Sequence, residues 1–250
     1  MKQHERVLSA QEINFFKDNG YLLPGRPLFP GPDFTRLFDI FEEHLRGRGD
    51  LQPDELDVPH LKDPRLFEYL MNPAVLDAAE CLIGPNIGLW SSHFICKEPR
   101  TGKKTPWHED SAYWKGRFDR YDGIVTVWLA IDDATKENGC MGVLPGSHRN
   151  GFSEYVEMGS DHRIFNQEIR QSIDENDIVW FELSQGHYSL HDSRIIHGAH
   201  ANTSDHRRTG YTMRYFNTDL VLNQSHPHNM GHKIYHCRGE NRGNNPLIYL

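Results

Sequence analysis

Residues 105–116 read TPWHEDSAYWKG. His108 and Asp110 stand two apart, with Trp107 before them and Tyr113 and Trp114 after. On an extended backbone, residues two apart project to the same side. An imidazole and a carboxylate can then meet one ion, while Glu109 between them points away and outward. A lone His-x-Asp occurs often in solvated loops. The rest of the chain must therefore supply a third ligand and a scaffold.

Upstream of this stretch the texture is helical. Ser9 with Glu12 three residues on makes a capping box ahead of INFFKDNG, and Gly20 ends that helix. In PDFTRLFDIFEEHLR (32–46), Phe34, Leu37, Phe38, Phe41 and Leu45 fall at helical spacing, with Pro32 near the start. PAVLDAAECLI (73–83) reads the same way and is stopped by Gly84-Pro85. After residue 85 the chain turns to short β-branched and aromatic runs: 87–97, 124–132, 177–183, 187–191, 194–200 and 208–218. Many short strands after a helical third predict a β-sandwich or jelly roll with helices packed outside. The expectation is one domain over 1–250: a mostly helical part (1–85), a jelly-roll core (86–220) and a tail (221–250) that folds over the mouth as a lid. Order is expected to be weakest in 98–106, 152–172 and the tail.

The chain has 250 residues and a formal net charge of -8, which argues against a protein built to grip nucleic acid. Cys81, Cys96, Cys140 and Cys237 are scattered without a CxxC pair, so neither a zinc knuckle nor a disulfide framework is indicated. The opening MKQHERVLSAQEINFF lacks an apolar signal segment, and no apolar stretch approaches the roughly 20 residues that span a bilayer. A cytoplasmic protein with a small-molecule substrate, and neither nucleic acid nor membrane as partner, is the expectation.

The third ligand lies far along the chain. His197 follows Asp110 by 87 residues, and distant strands lie side by side in a jelly roll. Two histidines and one carboxylate with open positions opposite are the ligand set of non-haem Fe(II) oxygenases. Arg208 stands 11 residues after His197, at the start of the next strand. Its planar fork suits a carboxylate, as a dicarboxylate such as 2-oxoglutarate would require.

These pieces occur in an order that carries a resemblance. WHEDSAYW (107–114), VTVWLAIDDATKENGCMGVLPGSH (125–148) and SLHDSRIIHGAHANTSDHRR (189–208), behind the opening LSAQEINFFKDNGYLLP (8–24), resemble the phytanoyl-CoA dioxygenase family of Fe(II)/2-oxoglutarate oxygenases. The resemblance implies a mainly β fold with flanking helices, a cupin-like double-stranded β-helix. It implies Fe(II) on His108, Asp110 and His197, with Arg208 on the far carboxylate of 2-oxoglutarate. Trp128 and His93 are implied to contact the same co-substrate, and O2 is the remaining reactant. The implied activity is hydroxylation of an aliphatic C–H in a small metabolite or natural-product intermediate, with release of succinate and CO2. Desaturation, epoxidation and ring closure stay open. Halogenation is disfavoured because Asp110 is retained. Two departures stand out. Glu109 replaces the more usual Gln. Ala199 replaces a Ser whose hydroxyl helps hold the co-substrate, a role that Thr126 or Tyr211 is expected to fill.

Other features have competing readings. LPGSH (144–148) could suggest a Ser-His nucleophile, but nothing signals an orienting acid or an oxyanion hole, so a turn is expected. His191 is read as a structural or supporting histidine rather than the ligand. Arg207 faces opposite to Arg208, towards solvent. Arg214 shares the parity of Arg208 and lies deeper in the barrel or near the substrate. Tyr113, Trp114 and Lys115 meet substrate or pack the rim. His226, His228, His232 and His236 are a second metal site or a solvated lid. Phytanoyl-CoA itself fits poorly, since no basic patch is present for the CoA phosphates. Two rival classes remain: a metal-binding jelly roll without oxygenase activity (an isomerase or ligand-binding module), and an inactive sensing member of the family.

Overall fold

Ser9 caps the first helix, α1 (Ala10–Asn19), and the reciprocal bond forms: Ser9 Oγ accepts from the Glu12 amide while the Glu12 carboxylate accepts from the Ser9 amide. Gly20 closes the helix at φ 79°, a left-handed conformation that favours glycine. Helix α2 (Gly31–Arg46) buries Leu37, Ile40, Phe41 and Leu45. Helix α3 (Pro73–Ile83) starts with Pro73 behind Asn72, whose side chain accepts from the Ala74 amide at 3.0 Å. The computed structural model describes residues 7–158 and 166–250.

The strands that position the site are β1 (Ile87–Lys97), β2 (Thr105–His108), β3 (Ile124–Ala130), β4 (Met141–Val143), β5 (Tyr188–Asp192), β6 (His197–Ala199), β7 (Arg208–Asn217) and β8 (Ile234–Arg238). One sheet runs Tyr21–Leu22, β5, β3, β7, β1, β8, Leu247–Ile248, with Leu56–Asp57 also paired to β1. The other runs β2, β6, β4, Val179–Trp180. Neighbours are antiparallel except β8 with Leu247–Ile248. This is the cupin-like architecture anticipated above.

Alternation on the large sheet divides its two faces. Leu89, Phe94, Val127, Leu129, Leu190, Tyr211, Met213 and Tyr215 join one apolar cluster with Leu37, Phe41, Val75 and Leu76 of the helices. Phe41 is fully buried, its ring 5.2 Å from Phe94. Burying a side chain of this size stabilises by about 1.5–3 kcal/mol, so the helices are held by packing rather than by propensity. The opposite face carries Ser91, His93, Ile95 and Lys97 on β1, Thr126 and Trp128 on β3, Ser189 and His191 on β5, and Arg208, Thr212 and Arg214 on β7. Register aligns them in rows: Lys97 with Arg208, His93 with Thr212 and Trp128, and Ser91 with Arg214, Thr126 and His191.

Several expectations require correction. The tail is not loose: β8 joins the large sheet beside β1. Within 152–172, Tyr155–Glu157 pairs with Gln167–Ile169, while 159–165 lie outside the described residues. The run 177–183 yields a two-residue strand, because a 3-10 turn at Glu175–Asp177 uses up its start. Asp110 is not on a strand; it opens a helical turn, Asp110–Tyr113. Glu109 alone keeps the extended conformation (φ -107°, ψ 135°) that turns His108 and Asp110 to one side. Among the described residues no helix is long and apolar enough to cross a membrane.

Candidate active site

His108 ends β2 and His197 begins β6, and the two are directly opposed in register. Their ring centroids lie 4.1 Å apart. His108 Nδ1 donates to the Pro106 carbonyl at 2.7 Å, and His197 Nδ1 to the Ile195 carbonyl at 3.0 Å. A carbonyl can only accept, so each Nδ1 carries a proton, and each Nε2 is the ring nitrogen left to meet a metal ion. Asp110 Oδ1 completes the group at 3.7 Å from His108 Nε2 and 3.9 Å from His197 Nε2. All three side chains are buried, and their donor atoms lie within 4.8 Å of one another. No other set of three such groups gathers among the described residues, so the tail histidines form no second metal site there.

The electrostatics suit a divalent cation. Burial opposes the Asp110 charge. Arg214, then His108 and His197, outweigh it and hold the carboxyl well below the usual carboxylate range. Burial, and next the His108 ring, hold His197 neutral. Arg214 Nε donates to Asp110 Oδ2 at 3.2 Å, and its Nη1 donates to Thr212 Oγ1 at 3.1 Å. The arginine thus occupies one carboxylate oxygen and leaves the other facing the histidines. Two imidazoles turned by their Nδ1 hydrogen bonds and an ionised carboxylate held by Arg214 fit Fe(II).

These groups border a cavity of about 740 Å³. Arg208 reaches it from the first position of β7, only 3% exposed. Its Nε donates to the Gly139 carbonyl at 3.0 Å and its Nη1 to the Ile95 carbonyl at 3.4 Å. Burial draws the guanidinium down to about 10, still a cation at neutral pH. Trp128 lies 5.6 Å from it, ring centre to guanidinium carbon. The indole rests on Gly210, where a Cβ would come within 2.1 Å of the ring, so the position admits only glycine. Lys97 was not anticipated. It pairs in register with Arg208, is 1% exposed, and donates from Nζ to the His200 carbonyl at 2.5 Å. Its parity with His93, four residues earlier, was the available signal.

His93 also borders the cavity but is committed elsewhere: Nε2 donates to the Asp54 carbonyl at 2.9 Å, and Nδ1 lies 3.7 Å from Asp57 Oδ1. Tyr211 cannot replace the missing serine hydroxyl. It faces the helical core, stacked on Phe94 at 4.2 Å. Thr126 does face inward, but in the Arg214 row, and its Oγ1 has no hydrogen-bond partner among the described residues. His191 is 2% exposed, with its ring 5.0 Å from His197.

Two residues expected to face solvent prove to be anchors, Glu109 buried and Arg207 partly so. Glu109 is 1% exposed; its carboxylate accepts from the Ser153 amide (3.0 Å), the Ser153 hydroxyl (2.5 Å) and the Tyr155 hydroxyl. Arg207 meets Asp132 through two bonds of 2.9 Å and Glu42 of α2 at 2.7 Å. In LPGSH, Ser147 Oγ donates to Leu144 O (2.7 Å) and accepts from the Ile196 amide (2.8 Å), tying the turn to the segment beside His197. Tyr113 and Trp114 border the cavity. Lys115 is exposed, over the Phe152 ring. Of the tail, His228, His232 and Lys233 border the cavity, and His232 Nε2 donates to the Trp90 carbonyl at 2.9 Å.

A double-stranded β-helix with a buried His-Asp-His group defines the class of non-haem iron oxygenases that use 2-oxoglutarate. Residues 5–210 match the family described as phytanoyl-CoA dioxygenase (PhyH), and the chain belongs to that family. Human peroxisomal phytanoyl-CoA dioxygenase is 28% identical over 240 residues, covering 85% of this chain and 70% of the relative. Among solved structures, the apo form of the non-heme monooxygenase ThoJ superposes with a TM-score of 0.77 at 22% identity, over 95% of this chain and 86% of that one. EvdO2 from Micromonospora carbonacea var. aurantiaca, complexed with 2-oxoglutarate, gives 0.71 at 23% identity, over 88% and 95%. The chain is accordingly an Fe(II)- and 2-oxoglutarate-dependent dioxygenase.

Proposed function

We propose that the enzyme hydroxylates an aliphatic C–H of a small metabolite or natural-product intermediate. 2-Oxoglutarate, O2 and R–H become succinate, CO2 and R–OH. His108, Asp110 and His197 hold the iron, and Arg208 binds the far carboxylate of 2-oxoglutarate. Trp128 walls the co-substrate, and His93 acts at its edge through the 54–57 segment. Bound iron supplies the redox chemistry that couples decarboxylation of the keto acid to oxygenation of the substrate. The protein's own part is to orient the imidazoles through Pro106 and Ile195, hold Asp110 ionised beside Arg214, and screen the site from water with the tail as a lid. The observation that carries this reading is the His-Asp-His group sharing one cavity with a buried Arg208 that has no carboxylate partner among the described residues.

A CoA thioester is disfavoured as substrate. Asp54, Glu55 and Asp57 border the cavity, and the chain carries a net charge of -8. A cytoplasmic setting is part of the proposal, supported by four unpaired cysteines. The test is anaerobic titration with Fe(II) and 2-oxoglutarate. A chelated keto acid gives a weak band at about 500 nm that His108→Ala abolishes. Metal binding without the band would instead favour a metal-binding barrel that does no oxygenation.

A further inference from the structure

Among the described residues, the arginines without a carboxylate in ion-pair reach are Arg48, Arg117 and Arg208; every other one has such a partner. Arg48 sits just beyond α2 and donates to the Leu45 carbonyl. The other two border the active-site cavity. Arg208 is accounted for by the co-substrate. Arg117 is not.

Arg117 is held firmly. Its Nε donates to Asn229 Oδ1 at 2.7 Å and its Nη2 to the His228 carbonyl at 2.8 Å. Its guanidinium carbon lies 4.4 Å from the centre of the Trp90 ring. These contacts leave Nη1 without a hydrogen-bond partner among the described residues. Lys233 borders the cavity as a second cation and also has no ion-pair partner there. Asp54, Glu55 and Asp57 contribute to the same lining, yet no ion pair joins them to Arg117 or Lys233. Trp90, Tyr113 and Trp114 add aromatic surface to the lining, with the Tyr113 ring tilted against His108 at 5.3 Å between centroids. One cavity therefore holds cations and carboxylates that are not paired with one another, together with aromatic surface beside the ligand histidine.

We infer that Arg117 receives the carboxylate of the oxygenated substrate, and that this substrate is a small amino acid whose ammonium group is met by the acidic segment 54–57. The inference rests on the oxygenase reading above. A guanidinium with an open N–H matches a carboxylate. A doubly charged phosphate is disfavoured in a cavity that also carries the carboxylates of Asp54, Glu55, Asp57 and Asp110. The aliphatic part of an amino acid then lies against Trp114 and Tyr113, within reach of the ligand set. In this arrangement the two open arginines divide the work: Arg208 for the co-substrate, Arg117 for the substrate.

The experiment uses the full chain loaded with Fe(II) and 2-oxoglutarate. The probes are a panel of free α-, β- and N-methylated amino acids with their carboxamides and N-acetyl derivatives. Succinate release above the substrate-free rate is one readout. Calorimetric binding to the nickel- and 2-oxoglutarate-loaded protein is the other. At least one free amino acid should stimulate release and bind, with its carboxamide at least tenfold weaker. Arg117→Gln should erase the preference for acid over carboxamide, and Arg117→Lys should restore part of it. Asn229→Ala, which loosens the anchor without removing the charge, should weaken both ligands alike. The inference fails if no free amino acid responds, if carboxamides respond equally, or if Arg117→Gln weakens acid and carboxamide alike, as a mere clamp would. The keto-acid band in the same preparation separates the two readings: an intact band with no responding amino acid defeats the substrate class alone, and a missing band defeats the oxygenase assignment.

Discussion

Arg208 and Arg214 stand on one strand, project to one face and border one cavity, yet their surroundings differ in kind. Arg214 has a carboxylate, Asp110, at 3.2 Å. Arg208 has only carbonyls, and the neighbour aligned with it in register is another basic residue, Lys97, whose amine is pushed well below the usual lysine range by burial and then by Arg208. A buried charge left unpaired costs several kcal/mol, whereas a paired one is partly compensated. Six residues along the same strand thus separate a charge paired with a carboxylate of the His-Asp-His group from a buried charge that borders the cavity with no carboxylate in ion-pair reach among the described residues.

Removing the open charge gives the largest expected functional effect with the smallest structural one. Arg208→Gln should weaken 2-oxoglutarate binding about 100-fold, the loss expected for a charge-assisted bidentate contact of about 3 kcal/mol. The ligand-free melting temperature should stay level or rise, because an uncompensated cation has left the interior. Scanning fluorimetry with and without 2-oxoglutarate reads both quantities, since ligand at about 100 times its Kd stabilises by about 2.7 kcal/mol. A large drop in the ligand-free melting temperature would mean that Arg208 is structural and that the contrast with Arg214 is false.

Arg214→Gln should behave the other way round. Asp110 keeps its charge but loses the group that compensates it and fixes its orientation. Anaerobic Co(II) affinity should fall about 10- to 100-fold, as for other partners of metal ligands. The melting temperature should fall as well, with Arg214→Lys recovering part of both. Unchanged metal affinity in Arg214→Gln would show that Asp110 is held by its helical turn alone.

The contrast also marks what the sequence can reveal. His108, Asp110 and His197 were legible because ligand chemistry restricts the residue types and extended Glu109 sets their side. The helices were legible because Ser9, Gly20 and Pro73 act locally. Parity along β7 put Arg207 and Arg208 on opposite faces and the family's offset from His197 picked Arg208; the same parity rule applied to position 211 would have excluded Tyr211 as a co-substrate contact. Parity says only which face a side chain takes, not what covers that face. Arg207 was therefore misread as solvated, although Glu42 and Phe41 of α2 cover it. Lys97 and the tail were missed for a similar reason. Both depend on partners far along the chain: the His200 carbonyl for the lysine and β1 for the tail strand.

Glu109 sharpens the comparison from the anionic side and carries the smallest effect. It is a buried carboxylate with no cation partner in the ion pairs of the described residues, satisfied instead by the Ser153 amide and hydroxyl and the Tyr155 hydroxyl. Its own amide donates to the Tyr155 hydroxyl at 2.9 Å, so the residue between two metal ligands is stitched to the 153–155 segment from both ends. A gain in ion-pair energy cannot explain such a group; its hydrogen bonds must hold it. Glu109→Gln keeps the size and one acceptor oxygen but replaces the other oxygen with an NH2 that faces donors. The expected cost is about 1–2 kcal/mol of stability, with a loss of a few-fold in kcat/KM and little change in 2-oxoglutarate affinity. Tyr155→Phe removes a donor to the Glu109 carboxylate together with the acceptor of the Glu109 amide and should cost about 1–2 kcal/mol. If Glu109→Gln instead abolished metal binding, the 153–155 segment would be setting the ligand geometry itself, and the division between charges held for ligands and charges held for structure would have to be redrawn around Glu109.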